Sequence, residues 1–345
     1  MKRLVLLIII LCLVGCSSST GEWDSGMYTV SRVATNLESP WSIASDAQTF
    51  FISERNGTIV RIEKDGKMTR EEVILSEPLS SAAEAGLLGF VLRKDFSESS
   101  LAYAYYTYDL DGRPVNRIVT LFREGGEWHE KEILLDHIES GRVHHGGRLA
   151  LSPDETLFAT IGDGASPENA QNPRSFNGKI VKLQEDGSFS IVSLGHRNPQ
   201  GLAWNSAGEL YSSEHGQSAN DEINMIEQGG NYGWPEIEGN ESKEGMRSPL
   251  LTSGANETWA PSGMTFHNGL LYVAALRGEA ILVIDSREMR IAGKIEGYGR
   301  IRDVYSDGES LYFISNNTDG RGTPSEFDDV LYRLTVINKI IYEEK

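Results

Sequence analysis

GHRNPQGLAWNSAGELYSSEHGQSANDEINMIEQGGNYGWP, residues 195–235, contains one complete copy of the pattern that decides the fold. Gly201-Leu202-Ala203-Trp204 reads as a short apolar strand. Asn205 to Gly208 is a polar turn, and Leu210-Tyr211-Ser212 is a second strand. Alternating runs of four to six residues bounded by Gly, Asn and Pro are strand signals, and helical periodicity is absent. The segment after the second strand is unusual. Glu214, His215, Asp221, Glu222 and Asn224 crowd into a Gly- and Ser-containing loop, and an aromatic Gly-rich turn closes it. A loop this dense in charge and amide marks a functional rim.

Working outward, the same module recurs. First strands begin near Pro40-Trp41, Gly86-Leu87, Gly147-Arg148, Gly201-Leu202, Gly263-Met264 and Arg302-Asp303. Second strands include Phe50-Phe51-Ile52, Tyr103-Ala104-Tyr105, Leu157-Phe158-Ala159, Leu210-Tyr211-Ser212, Leu271-Tyr272-Val273 and Leu311-Tyr312-Phe313. Six copies at roughly 40–60 residue spacing predict an all-β, six-bladed β-propeller of four-stranded antiparallel blades. A single unit cannot bury both faces of its sheet, so blades stack around an axis. Tyr28–Val33 is expected to close the ring on Val330–Val336. A β-sandwich or a pair of β domains fits poorly, because no linker or composition break divides the chain.

The chain begins with a processing signal. Lys2 and Arg3 precede the apolar run Leu4–Leu13, and Leu13-Val14-Gly15-Cys16 matches a lipoprotein cleavage box. Residues 1–15 are therefore expected to be a signal peptide, 16–25 a tether and 26–340 the propeller. Cys16 would carry the lipid anchor, placing the protein outside the cytoplasm on the cell membrane. Cys12 and Cys16 are the only cysteines, and Cys12 would leave with the signal, so the mature chain has no internal disulfide. Without Lys2 and Arg3, 30 basic residues face 50 acidic ones. That surface repels nucleic acid and anionic lipid.

Loops after the second strands carry Glu54-Arg55, Asp163-Gly164, Glu214-His215, Arg277-Gly278 and Asn316-Asn317. Equivalent module positions imply one end of the axis and a single site. His144, before the third module, is a candidate general base for a substrate hydroxyl, or else a turn histidine. Asp163 stands where it can orient that ring. Arg300 and Arg302, two apart on a strand, would share a face and need a common anion, either neighbouring carboxylates or a multi-carboxylate or phosphate ligand. Asp221, Glu222, Asn224 and Tyr232 offer hard oxygen donors suited to Ca²⁺, or form a plain acidic turn. Zn²⁺ is disfavoured by the lack of cysteine.

The strings EAGLLGF (84–90), HHGGRLALSPDETLFATIGDG (144–164), LGHRNPQGLAW (194–204), DEIN (221–224), NYGWP (231–235) and GRIRDV (299–304) resemble the soluble glucose/sorbosone dehydrogenase family of quinoproteins, in order along nearly the whole mature chain. The resemblance implies oxidation of aldose sugars at C1 to lactones, with pyrroloquinoline quinone (PQQ) as hydride acceptor and His144 as base, positioned by Asp163. It implies that Arg197, Asn198, Arg277, Arg300 and Arg302 hold the cofactor. Main-chain oxygens of Gly216 and Gln217 would bind a catalytic Ca²⁺, and Glu222 and Tyr232 a structural one. Glu84 stands where family members place a sugar-contacting Gln. Gln217 replaces a common Pro, and only Arg277 is near a usual cofactor Lys. The 234–261 region is short, which implies an open site. The electron acceptor is not implied. A non-enzymatic propeller binding a glycan or protein leaves the arginines unexplained, and a Ca²⁺-dependent lactonase-type hydrolase needs a cage of carboxylates where arginines stand.

Overall fold

The computed structural model describes residues 28–336, so the expected signal, Cys16 and the expected tether lie outside the described residues. Within them the architecture is nearly all β, broken by one helical turn at Phe96–Ser99 and a 3₁₀ segment at Pro167–Gln171. Six strands start where the repeated modules start: Pro40–Ser45, Leu87–Leu92, Leu149–Leu151, Pro199–Trp204, Pro261–His267 and Ile301–Ser306. Each packs beside the next, and Ile301–Ser306 returns to Pro40–Ser45, so these strands form a closed ring around an axis. This is a β-propeller. Closure uses the expected partner, since Tyr28–Ala34 pairs antiparallel with Leu331–Val336.

The division into sheets departs from six separate four-stranded units. Among the described residues there are three four-stranded sheets, one of five strands and one of eight. The eight-stranded sheet has two antiparallel halves, joined where the outermost strands Met68–Ile74 and Glu127–Glu139 meet in parallel at Val73–Trp128 and Ile74–His129. The fifth strand is Gly230–Asn231, added in parallel to the edge of Phe189–Leu194. Both fusions occur at outer edges, where unpaired N–H and C=O groups invite a neighbour.

Apolar clusters lie between successive sheets. One gathers Phe51, Phe90, Phe96, Tyr106 and Trp128, another Tyr272, Val283, Val304, Phe313 and Tyr332. Stacking therefore buries both faces of each sheet, as the repeat logic requires.

A recurring irregularity positions the site. The inner strands carry register shifts near their starts, at Pro40/Ser42, Leu87/Phe90, Pro199/Gly201, Pro261/Met264 and Ile301/Asp303. A bulge re-aims the extra residue. Trp41, Leu88, Gln200 and Arg302 sit within those shifts and line the axial cavity.

Candidate active site

A cavity of ≈ 250 Å³ lies on the axis at one end of the ring. Trp41 and Leu88 supply apolar walls, and Arg55, Glu84, Gln200, His215, Arg302, Asp319 and Arg321 supply charge and hydrogen-bonding groups. Arg302 is buried, with Nη1 donating to Gln200 Oε1 at 3.0 Å and Nη2 3.9 Å from Asp319. Arg300 donates to Asp319 Oδ2 at 2.9 Å. The pair thus shares one carboxylate from a distant loop. Asp303, the carboxylate next to Arg302 in sequence, instead meets Arg148 at 3.1 Å. Burial lowers the Arg302 guanidinium to about 9. The Nε atoms of Arg197, Arg300 and Arg302 are buried without a hydrogen-bond partner, as is Nε2 of His215. Orphaned buried donors of this kind point to a missing anionic or carbonyl-bearing ligand.

His144 stands beside this cavity, next to the lining residues His145 and Gly146 and in contact with Glu84. Its Nδ1–H donates to Asp163 Oδ1 at 2.8 Å, and its Nε2 accepts from Arg197 Nη2 at 3.0 Å. A guanidinium only donates and a carboxylate only accepts, so the ring is the neutral tautomer with its lone pair on Nε2. Asp163 is fixed in turn. Its Oδ1 also accepts from the Ala165 amide and its Oδ2 from Trp234 Nε1 at 2.9 Å. The His144 backbone has φ of 64°, a left-handed conformation that a side chain tolerates only when its surroundings impose it. One such constraint is Gly162, where a Cβ would stand 2.0 Å from the His144 carbonyl oxygen.

Asn198 is buried, and its Oδ1 accepts from the Gly146 amide at 3.0 Å, tying the Arg197 turn to the His144 turn. Arg197 lies over the Trp234 ring at 5.5 Å, and burial lowers its guanidinium from the ordinary value. Glu84 lines the cavity, accepts from the His144 amide at 3.1 Å and from Arg321 at 2.8 Å. Arg277 is exposed and does not line the cavity; its neighbour Leu276 does. Arg55 and Arg321 bring the cationic groups that Arg277 was expected to bring.

The acidic loop divides differently from expectation. Asp221 is committed to the turn itself. It accepts from the Gly216 amide at 3.0 Å and, through its other oxygen, from the Ala260 amide at 2.8 Å and Thr258 Oγ1 at 2.9 Å. Gln217 is exposed. The Tyr232 hydroxyl faces away from Glu222, donating to the Met225 carbonyl and accepting from the Glu227 amide. Glu214, Glu222 and Glu238 nevertheless line a ≈ 10 Å³ cavity together with Gly216 and Tyr232. Burial, with Glu214 adding repulsion, pushes Glu222 up to about 8. Oε1 of Glu238 is buried without a partner. Among the described residues no three acidic, His or Cys side chains stand assembled as a metal cage.

Gln200, Asp319, Arg321 and Trp234 carry site contacts that no motif singled out by role. Trp234 lies in NYGWP and Gln200 in HRNPQG, so their strings were visible although their partners were not.

A closed ring of inner strands with a cation-lined axial cavity beside a neutral, oriented histidine defines a β-propeller oxidoreductase. The model of the glucose/sorbosone dehydrogenase family matches residues 37–333, and the chain belongs to that family. It is similar to the PQQ-bound aldose sugar dehydrogenase of Streptomyces coelicolor, with 34% identity, a TM-score of 0.82, and coverage of 90% of this chain and 98% of that one. An aldose sugar dehydrogenase of Escherichia coli (strain K12) is 26% identical across 88% of this chain and 94% of its own length. Quinoprotein glucose dehydrogenase B of Acinetobacter calcoaceticus is 29% identical over 66% of this chain and 56% of its own length.

Proposed function

We propose that the chain is a PQQ-dependent aldose dehydrogenase, built as six four-stranded blades, that oxidises the C1 hydroxyl of an aldose to the lactone. The observation that carries this reading is His144, oriented by Asp163 and Arg197 so that Nε2 accepts, beside a cavity lined by Arg302, whose buried Nε has no partner. PQQ, when bound, supplies a two-electron oxidant that takes hydride from C1. The residues here suit that group, because its carboxylates would satisfy the Arg300 and Arg302 donors and the Arg197–Asn198 turn would face its carbonyl side.

His144 removes the hydroxyl proton through Nε2 as the C–H bond weakens, and Asp163 stabilises the imidazolium that forms. Arg197, now donating to Nε2, swings its N–H toward the oxygen where negative charge develops. The 234–261 region is short, and a site left open by it would accept a broad range of aldoses. Ca²⁺ is proposed at two places. Main-chain oxygens of Gly216 and Gln217 would hold the catalytic ion, which would supply Lewis-acid chemistry there. Glu222 and the Tyr232 segment would hold a stabilising ion, a reading supported by the partnerless Glu238 oxygen beside them. The lipid anchor at Cys16 and an extracytoplasmic site of action remain part of this proposal. The acceptor that reoxidises the enzyme is left unassigned.

Reconstitution tests the reading. Apoprotein given PQQ and Ca²⁺ should reduce an artificial electron acceptor when supplied with aldoses. Absence of both turnover and a cofactor absorbance change would end it. His144→Ala should lower kcat by about 10²–10⁴-fold, the weight of a general base, and leave PQQ binding intact. Equal loss of both would mean that His144 holds cofactor instead.

A further inference from the structure

Glu84 and His144 are both non-glycine residues at left-handed φ, 65° and 64°, and they touch. Glu84 Oε2 accepts from the His144 backbone N–H at 3.1 Å. Its other oxygen, Oε1, accepts from Arg321 Nη2 at 2.8 Å, a contact between loops 237 residues apart. Both carboxylate oxygens therefore have partners that are not a sugar.

The turn that carries Glu84 is clamped from every side. Arg55 Nε donates to the Ala85 carbonyl at 3.1 Å, and His145 Nε2 lies 3.0 Å from the Ala83 carbonyl. The Leu87 amide donates to the Arg55 carbonyl, and a Cβ on Gly86 would stand 2.2 Å from that same oxygen. A turn held this way cannot swing to follow a ligand, so the carboxylate is delivered to a fixed point. Burial alone would raise the Glu84 carboxyl. The hydrogen bonds from Arg321 and the His144 amide reverse that and hold it at about 2, so it is ionised throughout the working range. Arg321 comes from the loop after Leu311–Ser315 and is more than half exposed, so this contact spans the mouth between the second and last modules.

We propose that Glu84 and Arg321 are a positioning pair for the base. Glu84 pins the strained main chain of His144, as Asp163 pins its ring, and Arg321 holds Glu84 in place from across the cavity mouth. The loop bearing Arg321 also bears Asp319, which accepts from Arg300. One loop thus couples the anion-binding arginines to the geometry of the base. The inference rests on the assignment of His144 as base, but its first test does not.

Hydrogen exchange at the His144 amide reads the positioning without cofactor or substrate. Glu84→Ala should speed that exchange by about tenfold or more, the weight of a lost charge-assisted bond. Arg321→Ala should speed it by a smaller factor, and Arg321→Lys should restore it. Unchanged exchange in both alanine variants would overturn the pair. Arg321 is at the surface, so that variant carries the test even where Glu84→Ala fails to fold. In the reconstituted enzyme, both alanine variants should lower kcat with KM little changed. A raised KM at unchanged kcat would instead make Glu84 a sugar contact and overturn the proposal. An enzyme that never turns over would leave the exchange result to decide the pair, while removing the dehydrogenase reading.

Discussion

Two buried arginines, Arg117 and Arg302, have nearly equal exposure, 5% and 7%, and opposite fates. Arg117, on the strand Arg113–Glu124, donates to Asp136, Ser76, Tyr106, Tyr108 and Glu130. Burial alone would lower its guanidinium, and the bonds to Asp136 and Tyr106 more than reverse this, so it is raised. Arg302 has Gln200, a distant Ser262 hydroxyl and a long approach to Asp319, and its Nε has no partner. Burial dominates there, and the group is lowered to about 9. A buried charge that belongs to the fold is satisfied by the fold. A buried charge left short of partners is held for something that arrives later.

The largest expected effect breaks the first half of that comparison. Arg117→Leu strands Glu130 and Asp136 beside two tyrosine hydroxyls, and removing one partner from a buried pair costs about 3–5 kcal/mol. Urea unfolding should show that loss, with the site's ligand binding unchanged in the folded fraction. A loss below about 1 kcal/mol would mean that Arg117 is no more structural than Arg302.

Arg302→Met tests the second half. Asp319 keeps Arg300 at 2.9 Å, so little is stranded. Stability should change by less than about 1 kcal/mol, since replacing an under-paired buried ion by an apolar group is often neutral. PQQ affinity should fall by about 10–100-fold, the range for losing a charge-assisted bond. Calorimetry with PQQ and unfolding on the same sample separate the two. Loss of stability without loss of affinity would show that Arg302 serves the ring.

The contrast also marks what was readable beforehand. The starts of all six inner strands were legible to within two residues, because most open on Gly or Pro and each is followed by a second strand with an aromatic residue among small or aliphatic ones. Tyr28–Ala34 as the closing strand was legible for the same reason. His144 and Asp163 were legible as neighbours because the turn before one first strand and the loop after the next fall at one end of the ring. The bulges were not, since a one-residue shift leaves composition unchanged while re-aiming Trp41, Gln200 and Arg302. Arg277 failed by this margin. The residue lining the cavity is Leu276, the first of the turn that follows Leu270–Ala275, and the next residue of that turn, Arg277, is exposed. Arg321 and Asp319 were hidden because their partners, Glu84 and Arg300, lie in other modules, and no local pattern encodes such a pairing. The parallel edge contacts that fuse sheets involve only two residue pairs each, too few to leave a signal.

Glu84 sits between the two arginines in kind, being a site residue whose partners are all protein. Its carboxyl is held at about 2, below its ordinary value of 4.5. A depressed acid contributes stability that is complete above the unfolded value and is lost as pH falls from about 4.5 toward 2. Glu84→Gln should therefore cost on the order of 2 kcal/mol at pH 7, with the difference from wild type shrinking by pH 3. Urea unfolding at pH 7, 4.5 and 3 tracks it. A difference that stays constant with pH would show that the carboxylate's charge is not what its neighbours hold.

The smallest effect belongs to a pair that looks strong on geometry alone. Arg247 meets Glu227 through two bonds, at 2.8 and 2.6 Å, a bidentate arrangement resembling the one between Arg117 and Asp136. Both side chains are 46% exposed, however. Water and salt already solvate these charges, so the fold gains little by joining them, and exposed pairs are worth about 0.2–1 kcal/mol. Arg247→Ala should change unfolding stability by no more than about 0.5 kcal/mol, and the change should vanish in 1 M salt. Glu227 keeps water on removal of its partner, whereas Glu130 and Asp136, 7% and 21% exposed, keep much less, and that difference separates the two outcomes. A cost for Arg247→Ala approaching that of Arg117→Leu would show that bond geometry, not burial, sets the worth of an arginine in this propeller.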